Sequence, residues 1–112
     1  MSDILDRLRA HRESVSDIAY EVPQWGLQCF LKPISASKHS SIVRADGKNH
    51  ARMGARFIIA TFVDEKGAPI FRDDAATLAE LMEQPANLLS QIALDVVEAL
   101  NMAPAEDDEK NS

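Results

Sequence analysis

Apolar and polar positions along the 112-residue chain follow two different periods. From Ser2 to Glu13, Ile4, Leu5 and Leu8 fall on one face of a helical wheel, with Asp3, Asp6, Arg7 and Arg9 elsewhere and Ser2 or Asp3 placed to cap the segment. That spacing predicts a short amphipathic helix. The pattern then changes. Asp17 to Val22 alternates loosely, Pro23-Gln24-Trp25-Gly26 supplies a turn, and Leu27 to Lys32 resumes a β-rich run before Pro33, which together predict a β-hairpin. Ser35 can cap a helix over residues 36–45 that Asp46-Gly47 ends.

The run from Arg52 to Val63 carries two signals. Its β-branched and aromatic residues suit a strand, while Met53, Phe57, Ala60 and Phe62 can line a helix; we favour a buried helix entering a short hairpin turn. The turn is Asp64-Glu65-Lys66-Gly67, where polar residues bend the chain, Gly67 can take a positive φ, and Ala68-Pro69-Ile70-Phe71 returns. Asp73 or Asp74 then caps a helix carrying Leu78, Leu81 and Met82, and Pro85 suits the first turn of another. In that last helix Leu88, Leu89, Ile92, Ala93, Val96, Val97 and Leu100 recur at three and four, opposite Ser90, Gln91, Asp95 and Glu98. So broad a stripe can serve both a core and a partner surface.

The pattern predicts an α+β fold, mainly α-helical, with a small N-terminal β-hairpin packed against a helical C-terminal half. Length and composition, 46% apolar and 27% charged, suit one globular domain over residues 1–104. Residues 105–112 read as a disordered acidic tail, since Glu106-Asp107-Asp108-Glu109 has no apolar residue after Ala105 to hold it down. The net charge of -6 repels a phosphate backbone, which argues against nucleic acid as a partner. No apolar stretch approaches the roughly 20 residues that cross a bilayer, and the first residues lack the pattern of a secretory signal, so the expected compartment is the cytoplasm with no membrane partner.

Candidate chemistry is sparse. Cys29, the single cysteine, sits in an apolar strand without a sequence-local histidine and reads as a buried, inert thiol. His39 and His50 flank Asp46 and Asn49 at a spacing that fits no standard metal pattern, and both read as surface residues, as does His11. The carboxylate pairs Asp64-Glu65 and Asp73-Asp74 are explained by a turn and by a helix start. No catalytic residue, cofactor or metal site is assigned. Trp25 is read either as an anchor packed on the hairpin or as an exposed ring that docks a partner. Together with Leu89, Ile92 and Val96 it forms the candidate partner-binding set.

Several motifs gain weight from their order: Val22-Pro23-Gln24-Trp25-Gly26, a strand ending near Lys32-Pro33-Ile34, then Ala55 through Phe71 with Asp64-Glu65-Lys66-Gly67 inside it, an acidic capped helix, and Ala-rich and Leu-rich helices reaching Leu100-Asn101. In this order the chain resembles the small tail assembly chaperones of long-tailed bacteriophages and prophages, over roughly Tyr20 to Ser112. It departs from their pattern at Ser35 to Ser41, where a charged helix is usual, and at Met102-Ala103, where a Gly-containing helix end is common.

The resemblance implies a non-enzymatic protein that binds the tape-measure protein, keeps its hydrophobic helices from aggregating, recruits tail-tube protein, and is absent from the mature particle. The closing Glu109-Lys110-Asn111 also resembles the family's ends. Encoded as GAA AAA AAC it would contain a heptamer on which ribosomes slip back one base, giving a longer frameshifted form as a further partner; an AAG lysine codon would remove the idea. A minor structural component of a tail or other assembly, acting by stoichiometric contact, is the alternative. A small acidic enzyme or nucleic-acid mimic finds no supporting constellation.

Overall fold

The computed structural model describes residues 2–14 and 17–101. The acidic segment from Glu106 to Glu109 and the Glu109-Lys110-Asn111 end lie outside the described residues. The chain runs as helix α1 (Ser2–Ser14), strand β1 (Ile18–Val22), a 3-10 turn (Pro23–Trp25), strand β2 (Leu27–Leu31), helices α2 (Ala36–Asp46) and α3 (His50–Thr61), strand β3 (Phe62–Val63), and helices α4 (Ala75–Met82) and α5 (Ala86–Ala99). The fold is α+β and mainly helical, with a small antiparallel sheet. No described helix is long and apolar enough to cross a membrane.

Each boundary has a local cause. Gly26 takes φ +60° to close the turn between β1 and β2, a conformation that costs glycine nothing. Ser35 accepts the backbone N–H of Lys38 at 3.1 Å, Asn49 that of Arg52 at 3.1 Å and Asp74 that of Thr77 at 2.9 Å, so α2, α3 and α4 each begin on a side-chain cap. Pro85 stands one residue ahead of α5, at its N-cap, where a missing N–H is harmless.

The ambiguous run resolves into both of its readings in succession. α3 occupies His50–Thr61, and Phe62-Val63 then pairs with β2 without an intervening loop. Thr61 makes this join possible. Its hydroxyl donates to the carbonyl of Phe57 at 2.7 Å, and its own carbonyl accepts the N–H of Lys32 at 2.8 Å, tying the helix end to the sheet. The predicted turn follows: Gly67 at φ +84°, the N–H of Gly67 on the carbonyl of Asp64, and a bridge between Val63 and Pro69.

The sheet order is β1-β2-β3, with Tyr20 opposite Cys29 and Phe30 opposite Val63. One face supplies Val22, Cys29, Leu31 and Phe62 to the core, where they meet Ala55, Ile58 and Ile59 of α3, Leu78 and Leu81 of α4, and Leu89, Ile92 and Val96 of α5. The Tyr20 hydroxyl donates to Asp95 Oδ2 at 2.6 Å, which ties the edge strand to α5.

α1 behaves differently from the other helices. Its apolar face forms as the sequence predicts, yet Ile4, Leu5 and Leu8 remain 57%, 57% and 60% exposed. Ion pairs Arg7 to Asp3 and Arg9 to Asp6 support the helix from its own surface.

Candidate functional site

A largely apolar groove of about 430 Å3 is bounded by α2 and α3 on one side and α5 on the other, with the link between α4 and α5 closing an end. Its floor and walls include Met53, Phe57, Met82, Leu89, Leu94 and Val97. Among the described residues no Asp, Glu, Lys or Arg lines it, although the chain carries 18 acidic and 12 basic side chains. Methionine side chains at two positions give it a deformable lining.

The depth of the groove is set by a small-residue contact. A methyl group at Gly54 would stand 3.0 Å from the Cβ of Ala93, so α3 and α5 approach as closely as they do because position 54 has no side chain. Next to that contact Leu94 stays 48% exposed, and His39 lays its ring on Phe57 at 5.3 Å between centroids. The other histidine of the groove, His50, is exposed at the start of α3.

An ionic clamp fixes α2 against α3. Asp46, only 7% exposed at the end of α2, accepts Arg52 Nε at 2.9 Å and Arg56 Nε at 3.2 Å. Arg56 continues to Asp73 at 3.4 Å, and Asp73 lies 3.8 Å from Lys38, so the network reaches the approach to α4. At the other end of the groove the Trp25 indole N–H donates to Gln84 Oε1 at 3.0 Å while its ring stands edge-on to Phe71 at 6.1 Å. Gln84 lines the groove, so Trp25 acts on it from behind.

The candidate partner-binding residues therefore divide. Ile92 and Val96 are fully enclosed in the core and offer nothing to a partner, and Leu89 is a buried part of the groove floor. Their periodicity records the inward edge of α5. The accessible edge is carried by Leu94, Ala93 and Val97, and Leu94 stands outside the stripe read from the sequence; an apolar residue among Ser90, Gln91, Asp95 and Glu98 was the available signal. Trp25 is half-buried, and its ring packs against Phe71 and bonds Gln84 rather than lying back on the hairpin.

Other candidate groups serve the fold. Asp64 accepts the N–H groups of Lys66 at 2.8 Å and Ala68 at 2.9 Å, and these bonds hold its carboxyl below the usual range. The cap bond to Thr77 does the same for Asp74. Burial pushes the Cys29 thiol up, keeping it protonated and weakly nucleophilic. A larger depression of about 810 Å3 lies over β1, β2 and the 64–66 turn, but Glu21, Asp64, Glu65 and Lys66 line it and keep it wet. Among the described residues no group of three or more His, Cys, Asp or Glu side chains is placed to hold a metal ion.

Neither a family model, nor a curated protein, nor a solved structure matches this chain.

Proposed function

We propose that this protein is a non-enzymatic assembly chaperone of the tail-assembly kind, which holds the apolar face of a helical client in the groove between α3 and α5. The tape-measure protein is the client the sequence resemblance names, and tail-tube protein is the second partner it implies. The observation that carries the reading is the groove itself: open, largely apolar with two methionines in its lining, and, among the described residues, without an Asp, Glu, Lys or Arg wall in a chain of net charge -6. Such a surface matches the helix-in-groove mode of peptide recognition, in which an amphipathic helix inserts apolar side chains at three- and four-residue spacing. The surrounding negative charge keeps the loaded protein soluble and discourages nonspecific association.

The test is co-expression with a large, helix-rich protein encoded near it, each such neighbour being tried in turn. The wild-type chain is expected to render one such neighbour soluble and to co-purify with it, and Leu94→Glu to abolish both while leaving the chain folded. Neighbours that all stay insoluble with the wild-type chain contradict the proposal. Presence of the chain in mature particles, found by mass spectrometry, replaces a departing chaperone with a permanent structural component.

A further inference from the structure

The sheet ends differently on its two sides. Beyond β3 the carbonyl of Phe62 accepts the N–H of Ile70 at 3.1 Å, the N–H of Asp64 donates to the carbonyl of Ala68 at 2.8 Å, and Val63 bridges Pro69, so that edge is closed. The β1 edge is open. Backbone groups of successive strand residues point to opposite sides, and the bond from Lys32 to Thr61 fixes the sense: Phe30 and Lys32 bond toward β3, whereas Leu27, Cys29 and Leu31 bond toward β1. Their partners Val22, Tyr20 and Ile18 therefore point inward, which leaves the N–H and C=O groups of Ala19 and Glu21 aimed away from the sheet. Among the described residues no bond reaches these four groups, and both residues are exposed. β1 also carries no lysine, proline or bulge, the usual guards of an edge.

Beside this edge lies the depression of about 810 Å3, on the face that Ala19, Glu21, Gln28 and Phe30 share. Glu21, Asp64 and Glu65 line it against one cation, Lys66, and among the described residues neither Glu21 nor Glu65 has an ion-pair partner. On the opposite face of the same edge Ile18 is 39% exposed and Tyr20 half-buried. We infer that β1 accepts an extended strand from a different protein, one that alternates basic and apolar residues, with a lysine or arginine opposite Glu21 and an apolar side chain opposite Tyr20.

Each part of that description has its own cause. The outward N–H and C=O groups call for an extended backbone, because a helix has already satisfied its own. The carboxylates of the depression call for basic side chains on one face of the incoming strand, and Ile18 and Tyr20 for apolar ones on the other, the alternation that a strand supplies. Antiparallel pairing continues the sheet's pattern and is the slightly stronger kind. A second copy of β1 fits poorly. Pairing about Tyr20 would set the two Glu21 side chains diagonally across from each other, about 7 to 8 Å apart, between two chains of net charge -6. The inference goes beyond the proposed function and does not rest on it: the groove takes a helix by its side chains, and the edge takes a strand by its backbone.

The probe is the acetylated and amidated peptide Thr-Val-Lys-Val-Lys-Val-Thr, added to the isotopically labelled full chain. Saturable amide shifts centred on Ala19 and Glu21 are expected, with hydrogen exchange at those two amides slowed about 10-fold at saturation. Glutamate in place of both peptide lysines, or Glu21→Lys in the chain, should weaken binding about 10-fold, and combining the two changes should restore part of it. Ala19→Pro removes an outward donor that the fold does not use, so it should weaken binding with the circular dichroism unchanged. Leu94→Glu should bind the peptide as wild type does even where it solubilises no neighbour, which separates this inference from the proposed function. No saturable shift, equal binding of the lysine and glutamate peptides, or shifts confined to the groove would each overturn the inference. So would protection of Ala19 and Glu21 that grows with chain concentration in the absence of peptide, because it assigns the edge to a second copy.

Discussion

Replacing Asp46 by Asn tests whether the clamp between α2 and α3 is built from charge. Asp46 is buried, and its two oxygens accept Arg52 and Arg56 separately at 2.9 and 3.2 Å. Hydrogen bonds to charged groups contribute on the order of 1.5 to 3 kcal/mol each when well shielded. Here the arginine side chains remain 45% and 32% exposed, so water screens both and the smaller end of the range applies to the pair together. Asp46→Asn should therefore cost about 2 kcal/mol, which lowers the midpoint of thermal unfolding by roughly 10 °C in a domain near this size.

The sign of the effect depends on the arginines. Asp46 ends α2, where the backbone carbonyls already concentrate partial negative charge, so an anion there is unfavourable by itself. In an Arg52→Gln/Arg56→Gln background the buried carboxylate loses both partners, and Asp46→Asn should then stabilise the protein by about 1 kcal/mol. Urea unfolding of the four variants, analysed as a cycle, reads both numbers. An Asp46→Asn cost below about 0.5 kcal/mol in the wild-type background, or the same sign in both backgrounds, would refute the reasoning.

Other perturbations reach the remaining joints of the fold. Tyr20→Phe removes the donor to Asp95 and should cost about 1 kcal/mol in urea unfolding. Burial, followed by the bond to and the charge of Asp95, raises the Tyr20 hydroxyl well above its ordinary value of 10.0. Its contribution is full below that value and is lost as pH climbs through the folded one, which absorbance at 295 nm should register as phenolate forming only at strongly alkaline pH. For Asp64 and Asp74 the sign is opposite: their folded values lie below 3.8, so the turn and the α4 cap are intact above that pH and fail as pH falls through the lowered values. Carboxyl chemical shifts should show both titrating below the ordinary carboxylate value of 3.8. Gly54→Ala gains about 1 kcal/mol of helix propensity but forces α3 from α5, at a cost of 1 to 3 kcal/mol, giving a net loss of about 1 kcal/mol that Ala93→Gly in the same chain should partly relieve. A stabilised Gly54→Ala variant would show that the two helices have room to part.

Residues whose partners are near in sequence were legible. Ser35 and Asp74 announce caps, Asp64 to Gly67 announces a turn, and the alternation around Pro23 to Gly26 announces a hairpin, because each signal and its partner lie within a few positions. Asp46 read only as a helix end, since its meaning lies 6 and 10 residues away on the next helix. The stretch from Arg52 to Val63 looked ambiguous because a single break, after Thr61, divides a helix from a strand within one apolar run. On α5, periodicity identified the apolar stripe but could not separate its buried centre, Ile92 and Val96, from its accessible edge, since both are aliphatic. For α1 the pattern specified a face and left open what covers it.

The central claim is that the groove beside Leu94 grips an apolar helix, and amide shift mapping tests it most directly. Peptides spanning the apolar helices of whichever helix-rich neighbour the chain solubilises would be added to the isotopically labelled full chain. Shifts concentrated at Met53, Gly54, Leu94 and Val97, and lost in the Leu94→Glu variant, are the predicted result. Shifts gathered on Ala19, Glu21 and Gln28 of the outer sheet face, with the groove unmoved, would contradict it.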